Sequence, residues 1–245
     1  MKKPLKIALI AAAAALLLAV GIGLYFASPL LAMCPAPTGL VPGTDNLTVL
    51  ALRNNRNALY FVDTGEGWLL IDAGSDAGKI EADLAALGID PLAVNWILLT
   101  HSDYDHVATL PLFPRANIYM GEDELGLLDG TVNRSGSGGN SLPDGIDLAN
   151  VRLLRDNAKL ELGNIKVVCV KAPGHTPGSM AYLVDETYLF TGDAFRYHNG
   201  KLSLHPFTMD KALAKASYEN LPIYGDNITV LTSHYGFFTV QPTAL

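Results

Sequence analysis

The sequence predicts an α/β fold in which two β-sheets pack against each other between layers of helices. Both halves of the chain alternate short strand-like runs with helix-like segments, and both place polar residues where the strands end. The chain has 245 residues, of which 49% are apolar and 17% charged, so it is long enough for one large domain and too apolar to be disordered. It holds only two cysteines, which excludes a disulfide-stabilised scaffold.

The first half is predicted to contain five strands and two helices. The strands are predicted over residues 47–52, 59–62, 68–71, 96–99 and 117–120. Residues 63–67, which include two glycines, form the hairpin turn between the second and third strands. A helix is predicted over residues 77–87 because apolar residues recur at helical spacing and Gly88 is suited to end it. A second helix is predicted to follow His106.

The second half repeats this plan after a loop. Residues 131–147 are rich in Gly, Ser and Asn and are predicted to form a loop between the halves that could act as a substrate lid. A helix is predicted over residues 211–220. Strands are predicted over residues 159–162, 165–170, 180–184, 188–190 and 228–231. Two similar strand-rich halves with flanking helices indicate two packed sheets with helices outside.

The first 34 residues are predicted to form a membrane anchor or signal segment that is not part of the folded domain. Three lysines precede residues 7–27, which carry no charge and would span roughly 30 Å as a helix, the thickness of a bilayer core. The positive-inside rule keeps the lysines in the cytoplasm, so we expect an uncleaved transmembrane anchor with the body in the periplasm or outside the cell. Cleavage of a signal peptide near Ala32, which would release a secreted protein, and a lipoprotein site at Cys34 are the alternatives.

The domain organisation and the charge follow from this division. Residues 1–34 are the anchor or signal segment, residues 35–46 a linker rich in Pro and Gly, and residues 47–245 the folded domain. The net charge is −7, and residues beyond 34 carry −10 because they hold 14 basic and 24 acidic residues. An acidic body repels phosphate backbones, so a small-molecule substrate is expected and nucleic acid is not.

Side chains of the metal-ligand type follow the predicted strands at their ends. Seven residues share this position: His101, Asp103, Asp105, His106, His175, Asp193 and His234. Strand ends meet at one edge of a sheet, so these side chains can converge although they are distant in sequence. Imidazole and carboxylate groups suit zinc, manganese or iron. Seven groups exceed the needs of one tetrahedral ion, which indicates two divalent ions about 3.5–4 Å apart sharing a carboxylate.

Five short motifs together resemble those of the metallo-β-lactamase superfamily. Residues 100–106 (THSDYDH) resemble the family's His-x-His-x-Asp-His signature. Residues 72–74 (DAG), 174–179 (GHTPGS), 191–193 (TGD) and 233–236 (SHYG) resemble its other motifs and occur in the same order. The resemblance covers residues 47–240 and implies a four-layer αββα sandwich with a binuclear metal site at the sheet edges.

The resemblance also implies a role for each residue of this site. The implied ligand sets are His101, Asp103 and His175 for one ion and Asp105, His106 and His234 for the other. Asp193 would bridge the two ions. Asp72 would hydrogen-bond to a ligand from behind and orient it.

Asp103 departs from the family pattern, because most members have histidine at this position. A carboxylate adds negative charge and makes the site harder, so iron or manganese competes with the zinc that the family most often implies. In flavodiiron proteins a glutamate occupies this position and the metals are iron. An iron-dependent redox protein is therefore one alternative function. A membrane-tethered binding module that kept the fold and lost catalysis is another.

The expected activity is hydrolysis. Two divalent cations lower the pKa of a bridging water, which provides a hydroxide that attacks a carbonyl or phosphoryl centre. Asp105 is the candidate catalytic residue and would pass a proton to the leaving group. Tyr104 and Tyr235 flank ligands and either contact the substrate or pack. Esters, thioesters, lactones and phosphodiesters are candidate substrates, whereas β-lactams are disfavoured because β-lactamases of the family usually have Cys or Ser in place of Asp193.

Three further residues are expected to lie outside this chemistry. His198 and His205 are predicted to be ordinary loop histidines. Cys169 falls in the middle of a predicted strand and is expected in the core.

Overall fold

The structure is a computed structural model that describes residues 16, 19–20, 32–42, 47–134, 140–198, 201–221 and 227–240. The chain divides into two compact units, Met1–Met33 and Cys34–Leu245. The predicted membrane anchor, residues 7–27, lies outside the described residues except for Leu16, Ala19 and Val20. Within the described ranges, no helix combines the length and apolar character that a membrane span requires. The anchor therefore stays a prediction.

The first sheet has seven strands that follow one another in chain order. They are β1 (Gly39–Leu40), β2 (Val49–Asn54), β3 (Asn57–Asp63), β4 (Trp68–Ile71), β5 (Val94–Leu98), β6 (Asn117–Gly121) and β7 (Arg152–Leu154). The strands β1 to β4 pair antiparallel. The strands β4 to β7 pair parallel, so that β4, β5 and β6 end at the same edge.

The second sheet has six strands. Its strands are β8 (Ala158–Leu162), β9 (Ile165–Lys171), β10 (Met180–Val184), β11 (Tyr188–Gly192), β14 (Thr229–Thr232) and β15 (Phe237–Thr239). Between β11 and β14 in the chain, β12 (Phe195–His198) and β13 (Lys201–Leu204) form a separate two-stranded ribbon. The pair β11 and β14 is parallel and the other pairs are antiparallel, so β11 and β14 end side by side.

Four α-helices are described. They are α1 (Ala77–Leu87), α2 (Tyr104–Val107), α3 (Leu125–Leu128) and α4 (Lys211–Asn220). Short 3₁₀ helices lie at Pro91–Ala93, Leu110–Leu112, Glu122–Glu124 and Leu148–Asn150. The bounds predicted for α1 and α4 are confirmed. Asp76 caps α1 by accepting a hydrogen bond from Lys79 N at 3.1 Å, and Gly88 ends it in the left-handed conformation with φ 69°.

The helix predicted to follow His106 is placed differently. The helix α2 begins at Tyr104 and already contains His106. Asp103 precedes it with extended backbone angles, φ −64° and ψ 148°, as expected of a residue that starts a helix. A 3₁₀ turn that contains Pro111 follows, and proline does not continue an α-helix. Asp105 and His106 consequently lie on the first turn of a very short helix.

The hydrophobic core has three layers because the central strands are buried on both faces. In β3, Tyr60 and Val62 pack between the two sheets together with residues of the second sheet such as Phe190. Phe61, between them in sequence, packs on the opposite side with Ile80 of α1. A third cluster joins the outer face of the second sheet to α4. The order helix, sheet, sheet, helix confirms the predicted α/β sandwich.

Part of the segment predicted as a linker, residues 35–46, packs onto this sandwich. Gly39 and Leu40 form β1 and pair with Ala51 and Leu50 of β2. Val41 is fully buried among the residues between the sheets.

Candidate metal centre

The seven predicted ligand residues lie together, just beyond the ends of β5, β9, β11 and β14. Six of them form two clusters of three residues, and the seventh, Asp193, lies between the clusters. We call His101, Asp103 and His175 the first cluster, and Asp105, His106 and His234 the second cluster. In each cluster one oxygen or nitrogen atom from each residue lies within 4.8 Å of the others. The strand ends thus bring distant parts of the chain to one place, as the sequence pattern predicted.

In the first cluster two imidazoles face one carboxylate. Asp103 Oδ2 lies 3.4 Å from His101 Nε2 and 3.2 Å from His175 Nε2. Both histidines are 1% exposed, whereas the Asp103 side chain is 18% exposed. The three donor atoms therefore converge below the surface, with the aspartate on the solvent side.

The second cluster has the same composition of two histidines and one aspartate. Asp105 Oδ2 lies 3.4 Å from His234 Nε2, and Asp105 Oδ1 lies 3.8 Å from His106 Nε2. His106 is fully buried, but the Asp105 side chain is 40% exposed. Asp105 is thus the more accessible carboxylate of the two clusters.

Asp193 lies between the clusters. Its Oδ2 is 3.5 Å from His175 Nε2 of the first cluster and 3.2 Å from His234 Nε2 of the second. Gly192 precedes it with φ 53°, and a Cβ at this glycine would collide with Thr100. Only glycine allows this close approach of β11 to the residue before His101, which explains the Thr-Gly-Asp sequence at the strand end.

The spacing of the donor atoms fits divalent cations. Neighbouring donors around a tetrahedral zinc ion with bonds of about 2.1 Å lie about 3.4 Å apart. The shortest donor separations are 3.2 Å in the first cluster and 3.4 Å in the second. In addition, His101 Nε2 and Asp193 Oδ1 are buried and have no hydrogen-bond partner in the described part of the chain. Such atoms are costly unless a ligand binds them, so the residues present fit a cation site.

Asp72 holds the ring of His106 from behind. His106 Nδ1 lies 2.8 Å from Asp72 Oδ2, so its N–H donates to the carboxylate and Nε2 faces the centre, where Asn57 Nδ2 lies 3.5 Å away. Thr100 N also donates to Asp72 at 2.8 Å. Asp72 is buried and has φ 59°, a left-handed conformation that aspartate tolerates. Asp72 therefore lies where the resemblance implied, behind a candidate ligand.

Other ligand rings are oriented by local hydrogen bonds as well. His101 Nδ1 lies 3.0 Å from the Thr100 hydroxyl, which itself donates to Asp72. His234 Nδ1 lies 2.5 Å from Arg56 O and donates to it. In both rings the outward nitrogen donates to its neighbour, so Nε2 faces the centre of the site and presents a lone pair there when the ring is neutral.

Burial and neighbouring charges set the protonation of the site. Burial would raise the pKa of Asp193, but three histidines, His234 foremost, hold it well below its usual range. Burial would lower the pKa of His106, yet three carboxylates, Asp72 foremost, raise it to about 10. For His175 burial prevails and its pKa is lowered. Because a cation binds only the deprotonated imidazole, it would displace the proton that His106 holds in its absence.

Two residues of the loop after α3 contact Asp103 and were not found from the sequence. The guanidinium of Arg134 forms an ion pair with Asp103 Oδ2 and lies 3.2 Å from His175 Nε2. Asn140 Nδ2 donates to Asp103 Oδ1 at 3.0 Å. Both residues lie in the Gly- and Ser-rich stretch 131–147, whose composition gave no reason to single them out.

Glu124 is a further residue that the sequence did not reveal. Its side chain is fully buried and accepts hydrogen bonds from Ser102 N at 2.9 Å and Gly178 N at 3.0 Å. The hydroxyls of Ser102 and Thr176 also donate to it. Glu124 thus ties the loop of His101 and Asp103 to the loop of His175. A single glutamate beside a strand carries no sequence signal of such a role.

His205 is closer to the site than the sequence suggested. Its Nε2 lies 3.6 Å from Asp193 Oδ2, and its ring centre is 4.8 Å from that of His175. With His175 and Asp193 it forms another group of possible metal ligands. The interpretation as an ordinary loop histidine is therefore wrong for His205, because its ring lies beside His175 and Asp193. The side chain of His198 lies outside the described part.

The two tyrosines that flank the ligands differ in exposure. Tyr104 is 73% exposed at the start of α2. Tyr235 is 6% exposed, and its ring centre lies 6.0 Å from that of His205. Cys169 is fully buried between the sheets, as predicted.

Comparisons of the sequence identify a family and several relatives. A family described as the metallo-β-lactamase superfamily matches residues 55–234. The chain is 28% identical to YqgX, a probable metallo-hydrolase of Bacillus subtilis (strain 168), over 71% of this chain and 83% of that protein. It is 30% identical to PksB of the same organism, a probable polyketide biosynthesis zinc-dependent hydrolase, over 51% of this chain and 48% of that protein.

Solved structures of low sequence identity share the fold. A metallo-β-lactamase with an HARLDQ motif from Cronobacter sakazakii matches with a TM-score of 0.61 and 20% identity, over 83% of this chain and 79% of that one. A B3 metallo-β-lactamase with an active-site glutamic acid matches with a TM-score of 0.62 and 20% identity, over 89% and 87% of the two chains. The family match, the relatives and the fold agree: the chain belongs to the metallo-β-lactamase superfamily and is a metallo-hydrolase.

Proposed function

We propose that the chain uses two divalent cations to hydrolyse an ester, thioester, lactone or phosphodiester bond in a small molecule. The observation that carries the proposal is the position of Asp193. Its Oδ2 lies within 3.8 Å of histidine nitrogens from both clusters, which is the arrangement that a carboxylate shared by two cations requires. The first cluster would hold one cation and the second cluster the other.

When bound, the two cations would supply Lewis acidity and lower the pKa of a water molecule toward neutrality. The residues of the chain contribute the geometry. Asp72, Thr100 and the carbonyl of Arg56 fix the rings of His106, His101 and His234 with Nε2 directed inward. A site held in this way needs little rearrangement during the reaction.

Asp105 is the proposed proton carrier. Its side chain is 40% exposed, so it can reach both the centre of the site and a bound substrate. A carboxylate in this position can accept a proton from the attacking water and deliver it to the leaving group. Tyr104, which is exposed, is the better candidate for a substrate contact, whereas Tyr235 is buried and packs against His205.

Zinc is the cation that we propose first. Four histidine nitrogens are the borderline ligands that zinc prefers, and the relative PksB is described as zinc-dependent. Asp103, Asp105 and Asp193 add three carboxylates, which are harder ligands, so iron or manganese would be the alternative.

Elemental analysis joined to a substrate panel tests the proposal. The protein is purified without added metal, analysed for zinc, iron and manganese, and assayed on ester, thioester, lactone and phosphodiester substrates. Two equivalents of zinc and turnover of one substrate class, both reduced in Asp193→Ala, are expected. Iron with absorbance changes on reduction would indicate redox chemistry instead. Metal without turnover on any class would indicate a binding module.

We also propose that residues 7–27 anchor the protein in a membrane, with the catalytic domain outside the cytoplasm. The proposal rests on the uncharged run and the three lysines before it. Fractionation of cells and reporter fusions placed after residue 46 test it. A fusion active only in the cytoplasm would contradict the orientation, and release of the domain into the periplasm or medium would indicate a cleaved signal peptide.

A further inference from the structure

The guanidinium of Arg134 lies among the donor atoms of the first cluster. It forms an ion pair with Asp103 Oδ2, lies 3.2 Å from His175 Nε2 and donates to Phe207 O at 2.8 Å. The Arg134 side chain is only 11% exposed. The arginine is therefore held inside the site by bonds on three sides and is not a surface charge that passes near it.

The two site atoms that Arg134 contacts are the ones that a cation would need. An imidazole Nε2 can offer its lone pair either to an N–H donor or to a cation, but not to both. Arg134 competes for Asp103 by charge, because a carboxylate already paired with a guanidinium attracts a second cation less strongly, and its other oxygen accepts from Asn140. His101 is the one member of the first cluster whose Nε2 has no hydrogen-bond partner in the described part of the chain.

The second cluster is held differently. Asp72 and the carbonyl of Arg56 bind the outward nitrogens of His106 and His234, so both Nε2 atoms face the centre, where the neutral amide of Asn57 lies 3.5 Å from His106 Nε2. In the described part of the chain, no lysine or arginine forms an ion pair with Asp105 or Asp193. A cation entering the second cluster consequently displaces the proton of His106 but no lysine or arginine side chain.

We propose that Arg134 is an internal cation that competes with a metal ion for Asp103 and His175 and so makes the two cation positions unequal. The inference rests on the proposed function, since it assumes that both clusters bind cations. The second cluster then fills first. The first cluster fills at higher metal concentration, because the guanidinium must leave before a cation can bind there.

The size of the effect follows from the bonds that are exchanged. A charge-assisted hydrogen bond to a partly buried carboxylate is strong enough that the need to break it weakens cation binding to the first cluster by about tenfold or more. The coupling is reciprocal, so a cation in the first cluster weakens the binding of Arg134 to Asp103 by the same factor. Arg134 thereby determines at which metal concentration the site becomes binuclear.

Titration of the metal-free protein with zinc alone, in competition with a chromogenic chelator, tests the proposal. Arg134→Met keeps an unbranched, flexible side-chain stem and removes the guanidinium with its charge. Arg155→Met is the matched control, because it removes the same charge from the surface. Arg155 is 83% exposed and pairs with Glu122. Arg134→Lys keeps the charge and loses the two-pronged geometry. Circular dichroism of each metal-free variant checks that it is folded.

The wild type is expected to bind one equivalent tightly and a second at least about tenfold more weakly. Arg134→Met should tighten the second step by about tenfold or more and leave the first step unchanged, Arg134→Lys should fall between, and Arg155→Met should match the wild type. Two steps that are identical in the wild type and Arg134→Met overturn the role of Arg134 and leave the proposed function standing. If neither protein binds zinc, the zinc-dependent form of the proposed function fails as well.

Discussion

The two clusters of the candidate metal centre have the same composition but are supported in different ways. In the second cluster the outward ring nitrogens bind a buried carboxylate and a backbone carbonyl, both fixed on the sheet edge. In the first cluster Asp103 is held by Arg134 and Asn140, which come from the loop after α3. A ligand set alone therefore does not define a cation site, because the groups that hydrogen-bond to the ligands decide whether their donor atoms are free to bind a cation.

Removal of Asp193 should have the largest effect, because this residue serves both clusters. We expect Asp193→Ala to lose at least one cation equivalent and to reduce turnover by more than about 100-fold, beyond the range seen for residues behind the ligands. Elemental analysis after gel filtration and a turnover assay measure the two effects. Asp144→Ala, at an exposed position, is the control. Parent-like metal content in Asp193→Ala would show that the carboxylate is not shared.

Asp72→Asn should affect the second cluster more than the first. Asparagine tolerates the left-handed conformation with φ 59° and keeps a contact to Thr100, but it loses the charge that orients His106. We expect the zinc affinity of the tighter step to fall by about 10–100-fold, measured by competition with a chelator. A loss confined to the weaker step would reverse our assignment of the two positions.

Glu124→Gln probes the support beneath the first cluster. The fully buried carboxylate accepts hydrogen bonds from Ser102 N and Gly178 N, and the neutral amide cannot accept all of the bonds that it receives. The free energy of unfolding of the metal-free protein, measured by urea denaturation, should fall by about 2 kcal/mol. The control Glu122→Gln, at a half-buried carboxylate that pairs with Arg155 and Lys171, should change it by less than about 0.5 kcal/mol. Equal effects of the two variants would argue against a special role of Glu124.

Asp103→His should have the smallest effect of these changes. Histidine is a softer ligand and removes the carboxylate that Arg134 binds, so the variant should fold normally and bind the second zinc equivalent about tenfold more tightly. Zinc content after dialysis at limiting zinc measures this. A variant that folds and holds less zinc than the parent would mean that the negative charge of Asp103 contributes more to zinc binding than a softer imidazole does.

The sequence predicted the layers of the fold because its signals were local and periodic. The bounds of α1 and α4 were predicted correctly, since Asp76 and Gly88 cap α1 and Asp210 caps α4. The helix near His106 was predicted too late in the chain. It is only four residues long, too short for hydrophobic periodicity to locate it.

The convergence of the site was predictable for the residues within motifs and not for their partners. His101, His175 and His234 follow strand ends, a rule that holds without knowledge of the tertiary structure. Arg134 and His205 reach the site from loops, and Glu124 from a short 3₁₀ helix, and the path of these segments depends on packing. Nothing in their local sequence distinguishes them from ordinary loop or surface residues, so only the structure could place them.

The most direct test of two cation positions that share Asp193 is anomalous X-ray scattering at the zinc absorption edge. The crystals are grown with excess zinc. We expect two peaks, one among the donor atoms of the first cluster and one among those of the second, with the Asp193 carboxylate in contact with both. A single peak outside both clusters, or no bound zinc at either, would contradict this expectation.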